Sequence, residues 1–128
     1  MNKTIVSTSA AAPAVGPYSQ GTAAERLVFV SGQLPIDPKT GNIPEGVEAQ
    51  TKQSLANLAA VLKAGGASLA SAMKTTVFLK NMGDFAVMNG IYAEAFRNQP
   101  PARSTIEVAR LPRDALVEIE AIALKVDG

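Results

Sequence analysis

The sequence predicts an α+β fold, one mixed β-sheet with two helices packed on one of its faces. Short β-branched runs alternate with two stretches of helical periodicity, roughly in the order ββ, α, β, α, ββ. The intervals are too short for a doubly wound parallel sheet. In the run Leu27, Val28, Phe29, Val30 both alternating faces are apolar, as in a sheet covered on two sides. Two helices can cover only one face, so the second cover is expected from another subunit and the chain is expected to be a homo-oligomer.

Each element has its own local cause. Arg26 to Gly32 is β-branched and aromatic, and Gly32, Pro35, Pro38 and Gly41 end it as a strand leaving into a loop. From Val47 to Leu62 the positions Val47, Thr51, Leu55, Leu58 and Leu62 recur at helical spacing, and Gly65-Gly66 supplies the stop. Thr75 to Lys80 reads as a short strand. Asp84 is placed to cap a second helix whose buried stripe is Phe85, Met88, Tyr92 and Ala95, until Pro100-Pro101 forbids continuation. Arg103–Ala109 and Leu116–Val126 close the chain as strands. The segment Arg110 to Asp114 between them has the length of a hairpin turn.

Composition bounds the chemistry. The 128 residues fit one domain, 1–128, and 47% apolar with 18% charged residues is an ordinary globular composition. A net charge of +1 gives no long-range field for nucleic acid or an anionic membrane, and six aromatics without basic residues between them make no stacking platform. With no cysteine and no histidine, disulfides, the usual zinc sets and Ser-His-Asp or Cys-His catalysis are all closed, and no metal is expected. Gly65-Gly66 lacks the surroundings of a phosphate loop. The apolar run at the N-terminus is only Ile5-Val6, too short for a signal peptide, and no stretch is long enough to span a membrane, so the expected location is the cytoplasm.

What remains is arginine, carboxylates, hydroxyls and backbone amides. Arg103, Thr105 and Glu107 share one strand face by alternation, and so do Glu118 and Glu120. A hairpin register that unites these sets would set a guanidinium beside carboxylates, and a slip of one residue would part them. Two readings stay open. Arg103 is a bidentate clamp for a carboxylate or phosphate with a glutamate handling water, or the charges are structural, an ion pair across two strands or charges at a subunit interface. Gly16-Pro17-Tyr18-Ser19-Gln20-Gly21 presents Tyr18 on a glycine-bounded turn, Ser31-Gly32 allows close backbone approach, and Asn89 next to Met88 is either a rim ligand or solvated.

These segments resemble the reactive intermediate deaminase family, RidA/YjgF. The matching stretches are Gly16 to Gly21, Val30 to Pro35, Lys74 to Leu79, Pro101 to Ser104, and Glu107 to Ala123, in the family's order. The resemblance implies a single RidA-like domain with a chorismate-mutase-like fold, and a homotrimer with sites in the clefts between subunits. It implies hydrolysis of 2-aminoacrylate and related 2-imino acids to 2-keto acids and ammonia, with no cofactor. It also implies that Arg103 binds the substrate carboxylate and Glu118 orients water, with Tyr18, Ser31, Gly32, Asn89 and Thr105 lining the site and Glu120 left a structural role. Many relatives carry cysteine where this chain has Thr105, which touches thiol-based regulation but not the hydrolysis. Relatives described as endoribonucleases or as ligand-sensing regulatory proteins supply the alternative functions. The absence of a histidine pair and of a basic stripe argues against the first; the second stays open, since a carboxylate-binding cleft could serve as a sensor without turnover, while the presence of Arg103 favours the enzyme.

Overall fold

The structure, a computed structural model, describes residues 2–126. Its strands are β1 (Thr4–Val6), β2 (Gly21–Ala24), β3 (Leu27–Gln33), β4 (Ala72–Leu79), β5 (Ala102–Glu107) and β6 (Val117–Leu124), and its helices are α1 (Val47–Ala64) and α2 (Phe85–Ala95). One six-stranded mixed sheet runs in the order β1-β2-β3-β6-β4-β5. All pairings are antiparallel except β4 with β5, which α2 joins as a parallel crossover.

The last two strands therefore form no hairpin, contrary to the sequence expectation. β4 lies between them, and the segment that reads as a hairpin turn instead steps over its end. The Val108 N–H donates to the Leu79 carbonyl on one side of β4, and the Lys80 N–H donates to the Leu116 carbonyl on the other. Between these bonds Pro112 to Asp114 form a single 3-10 turn in which Arg113 and Asp114 take left-handed backbone angles, φ 57° and 55°. Gln50 of α1 accepts from the Leu116 N–H at 2.8 Å and anchors the far end of the step.

α1 ends as its glycines predict. Gly66, at φ 86°, donates to Lys63, and Ala67 donates to Leu62, the paired bonds that close a helix through a left-handed residue. The start of α2 differs from the prediction. Asp84 makes no side-chain cap; instead Asn81 accepts from the Gly83 N–H at 2.9 Å and starts a 3-10 turn that runs into α2.

Alternation along the strands sends Val28, Val30, Thr75, Val77, Leu79, Val117, Ile119, Ala121 and Ala123 to one face. There they pack with Leu55, Leu58, Val61 and Leu62 of α1 and Met88 and Tyr92 of α2. Among the described residues no helix covers the other face. Leu27 is 39%, Phe29 41%, Ile5 56% and Ile106 44% exposed, a run of apolar groups turned to solvent on the side the sequence reading marks as needing a cover.

Candidate active site

On the open face the Glu118 carboxylate is seated by a defect in the sheet. β3 and β6 pair Val30 with Ala121 but Gln33 with Ile119, so Ser31 and Gly32 together oppose the single residue Glu120. This β-bulge turns Gly32 toward Glu118, and any Cβ there would collide with the carboxylate. The Ser31 hydroxyl donates to the Ser19 carbonyl at 2.6 Å and the Ser31 N–H to the Gln20 carbonyl at 2.9 Å, tying the bulge to the loop that presents Tyr18. The buried Gln20 amide bonds Thr8 and Ala12 and braces that loop from behind. Tyr18 is half exposed. It lines one concavity with Ser31 and Glu120, and a second, of about 370 Å³, with Gly32, Leu34 and Pro112. Burial pushes the Glu118 carboxyl above its ordinary pKa, and Glu120, two residues along the same face, pushes it further in the same direction.

Arg103 lies on the opposite face. Register sets it beside the fully buried Thr75 on β4, while Glu118 and Glu120 pair with Phe78 and Thr76, which point the other way. Three side chains of α2 at helical spacing surround the guanidinium. Arg103 Nη1 donates to Asn89 Oδ1 at 2.8 Å, and its carbon lies 4.6 Å from the Tyr92 ring centre and 5.6 Å from that of Phe85. Among the described residues no carboxylate pairs with Arg103. Two residues further on, the Thr105 hydroxyl is buried without a hydrogen-bond partner. Glu107 is occupied elsewhere, accepting from the Met82 N–H at 2.7 Å.

The residues singled out from sequence thus fall into two sets, Tyr18, Ser31, Gly32 and Glu118 on the open face, and Asn89, Arg103 and Thr105 on the helical face. A chain by itself does not unite Arg103 with Glu118, and the intrachain ion pair fails with the hairpin that would have made it. Asn89 is not merely solvated, since it holds the guanidinium. Phe85 and Tyr92 read as core stripe, yet they also flank Arg103. Their spacing with Asn89, four and three residues apart on one helix, is the signal that one helical face serves both purposes.

Fold and site define a class of protein, a small α+β protein with an arginine at one sheet edge that has no carboxylate partner among the described residues and a partly buried carboxylate on the open sheet face. The chain belongs to the Endoribonuclease L-PSP family, whose model matches residues 8–125, the RidA/YjgF group its motifs resemble. It is 52% identical to a RutC family protein of Pyrococcus horikoshii, over 96% of this chain and 98% of that one. It is 48% identical to the 2-iminobutanoate/2-iminopropanoate deaminase of Salmonella typhimurium, over 98% and 99%. Among solved structures it is similar to Escherichia coli TdcF with bound serine, with a TM-score of 0.91, 42% identity and coverage of 96% and 99%. No described helix is long and apolar enough to cross a membrane.

Proposed function

We propose that this protein, one domain over 1–128, hydrolyses 2-imino acids to 2-keto acids and ammonia at sites shared between copies of the chain, as a homotrimer. The observation that carries the reading is the separation of Arg103 and Glu118 onto opposite faces. Arg103 sits on β5, the last strand of the sheet, and Glu118 on a face bare of helices, so the edge of one copy laid against the open face of the next brings the two together. The same contact covers Leu27, Phe29 and Ile106. The named deaminase of Salmonella typhimurium, at 48% identity, supports the reaction.

In that cleft the guanidinium takes the substrate carboxylate in a two-point bond, with no competing carboxylate among the described residues to displace. The substrate's C=N carbon is then fixed relative to Glu118. Glu118 accepts a proton as water adds to that carbon, and the proton passes to nitrogen. Glu118 then takes the hydroxyl proton of the resulting carbinolamine and returns it to the amine nitrogen, which leaves as ammonia as the keto group forms. A carboxyl whose pKa burial has raised toward the working pH suits both halves of this transfer. Tyr18 and the bulge at Ser31 and Gly32 line the approach.

The test is complementation. Arg103→Ala and Glu118→Gln, each inactive alone, are refolded together in equal amounts. A site built from two chains regains about a quarter of wild-type activity, since one interface in four joins an intact Arg103 to an intact Glu118. A site built within one chain regains none.

A further inference from the structure

The guanidinium of Arg103 ends a long, rotamer-rich side chain at a sheet edge, and a two-point bond to a carboxylate requires its plane to be held. Asn89 restrains one nitrogen only. The remaining restraint runs through the core. Thr75 stands beside Arg103 in the sheet register, and its hydroxyl and that of Tyr92 form a buried hydrogen bond of 2.6 Å. The Tyr92 ring lies 4.6 Å from the guanidinium carbon, which closes a triangle between β4, α2 and β5. Tyr92 and Arg103 also line the same concavity, of about 470 Å³, with Ala93, Phe96 and Pro101. The ring also packs on Phe96, 4.5 Å between centres, so it serves the core, and the buried bond between its hydroxyl and Thr75 sets the orientation it presents to the guanidinium.

We propose that Tyr92 is a positioning residue for carboxylate recognition: Thr75 fixes the orientation of its ring, and the ring fixes the plane of the Arg103 guanidinium. This rests on the reading of Arg103 as the carboxylate clamp. It assigns ligand recognition to a residue that, by burial, belongs to the core. The phenol stays protonated and able to bond Thr75, since burial pushes its pKa up more than Thr75 and Arg103 pull it down.

Calorimetry of the assembled protein with 2-oxobutyrate, and with its uncharged amide as control, tests this. Tyr92→Leu is expected to weaken 2-oxobutyrate binding by roughly five- to ten-fold, the cost of ordering on binding an arginine whose plane is no longer held beforehand, and to leave amide binding unchanged. Tyr92→Phe and Thr75→Val each keep the ring and lose its pin. They are expected to weaken binding by roughly two- to three-fold, and the double variant no further, because both remove the same bond. A folded Tyr92→Leu that binds 2-oxobutyrate as wild type does overturns the inference, as does a Tyr92→Phe as impaired as Tyr92→Leu, or equal loss for acid and amide. Because the readout is binding, the expected pattern in a protein that turns over no 2-imino acid upholds the inference and sinks the deaminase reading. Normal turnover with unchanged Tyr92→Leu binding sinks the inference alone.

Discussion

Gly32→Ala tests the seat of Glu118 directly. A Cβ at Gly32 would lie 2.7 Å from Glu118 Cδ and 3.0 Å from Cγ, and closer still to Oε2. Carbon–carbon contact is comfortable from about 3.5 Å, so the carboxyl carbon has to retreat by roughly 0.8 Å and the oxygen by more. The backbone at Gly32 is not left-handed, so alanine brings no backbone strain, and the group that moves is the far end of a flexible side chain. Stability is therefore expected to hold within about 1 kcal/mol, measured by denaturant midpoint. Catalysis is not. Misplacement by about 1 Å at a reacting centre costs up to ~100-fold, so kcat is expected to fall by about 10- to 100-fold, or roughly 1.4–2.7 kcal/mol of barrier. Arg103 is untouched, so KM stays near the wild-type value. The assay generates the 2-imino acid with an amino-acid oxidase and follows the keto acid. A Gly32→Ala enzyme with wild-type kcat refutes the reasoning, and a raised KM at unchanged kcat would make Glu118 a binding group instead.

Three further outcomes follow from the geometry. Because burial raises the folded pKa of Glu118 above its unfolded value, the ionised carboxylate weakens the fold, and its relative stabilising contribution, complete below the unfolded pKa, is lost as pH rises through the folded one. Glu118→Gln is therefore expected to melt above wild type at about pH 8, with the gap closing toward about pH 4, while its kcat falls at all pH; wild-type kcat/KM falls as acid protonates Glu118. Phe29→Asp puts a charge into the apolar open face and is expected to lower the mass seen by light scattering to that of one chain, with activity lost in parallel; a full-sized active assembly would place the cover elsewhere. Thr105→Val removes a buried hydroxyl that has no partner and is expected to stabilise the protein by about 1 kcal/mol at unchanged KM; a rise in KM would show that substrate uses the hydroxyl.

Much of the fold was legible because its causes are local. The two-sided apolar pattern of Leu27 to Val30, the heptad-like stripe from Val47 to Leu62 and the stop at Gly65-Gly66 each state their own outcome, and the bare face was inferable by counting helices against strand faces. Strand order was not legible, because β6 inserts between β3 and β4 through contacts that join distant parts of the chain. Neighbouring strands in sequence suggest a hairpin. The left-handed pair at Arg113 and Asp114 turns the chain across β4 instead; aspartate favours that conformation, but arginine gives no sign of it and a lone aspartate fits a hairpin turn equally well. The candidate site suffered from that one error. Its residues were identifiable from motif, but their distribution over two faces depended on whether β5 and β6 were neighbours.

The outer edge of β5 bears on how the chain survives its own synthesis. A freshly made chain presents a row of unpaired backbone donors and acceptors along β5, next to exposed Ile106. Pro101 blunts only the approach to that strand, and Arg103 and Glu107 are both engaged toward α2 and the turn before it rather than standing guard. A bare β5 can accept a strand from another chain, and growth can continue through the second sheet edge at β1. In the proposed assembly the copy laid against this edge would remove it from aggregation, so a lesion that delays association would expose the chain to strand addition.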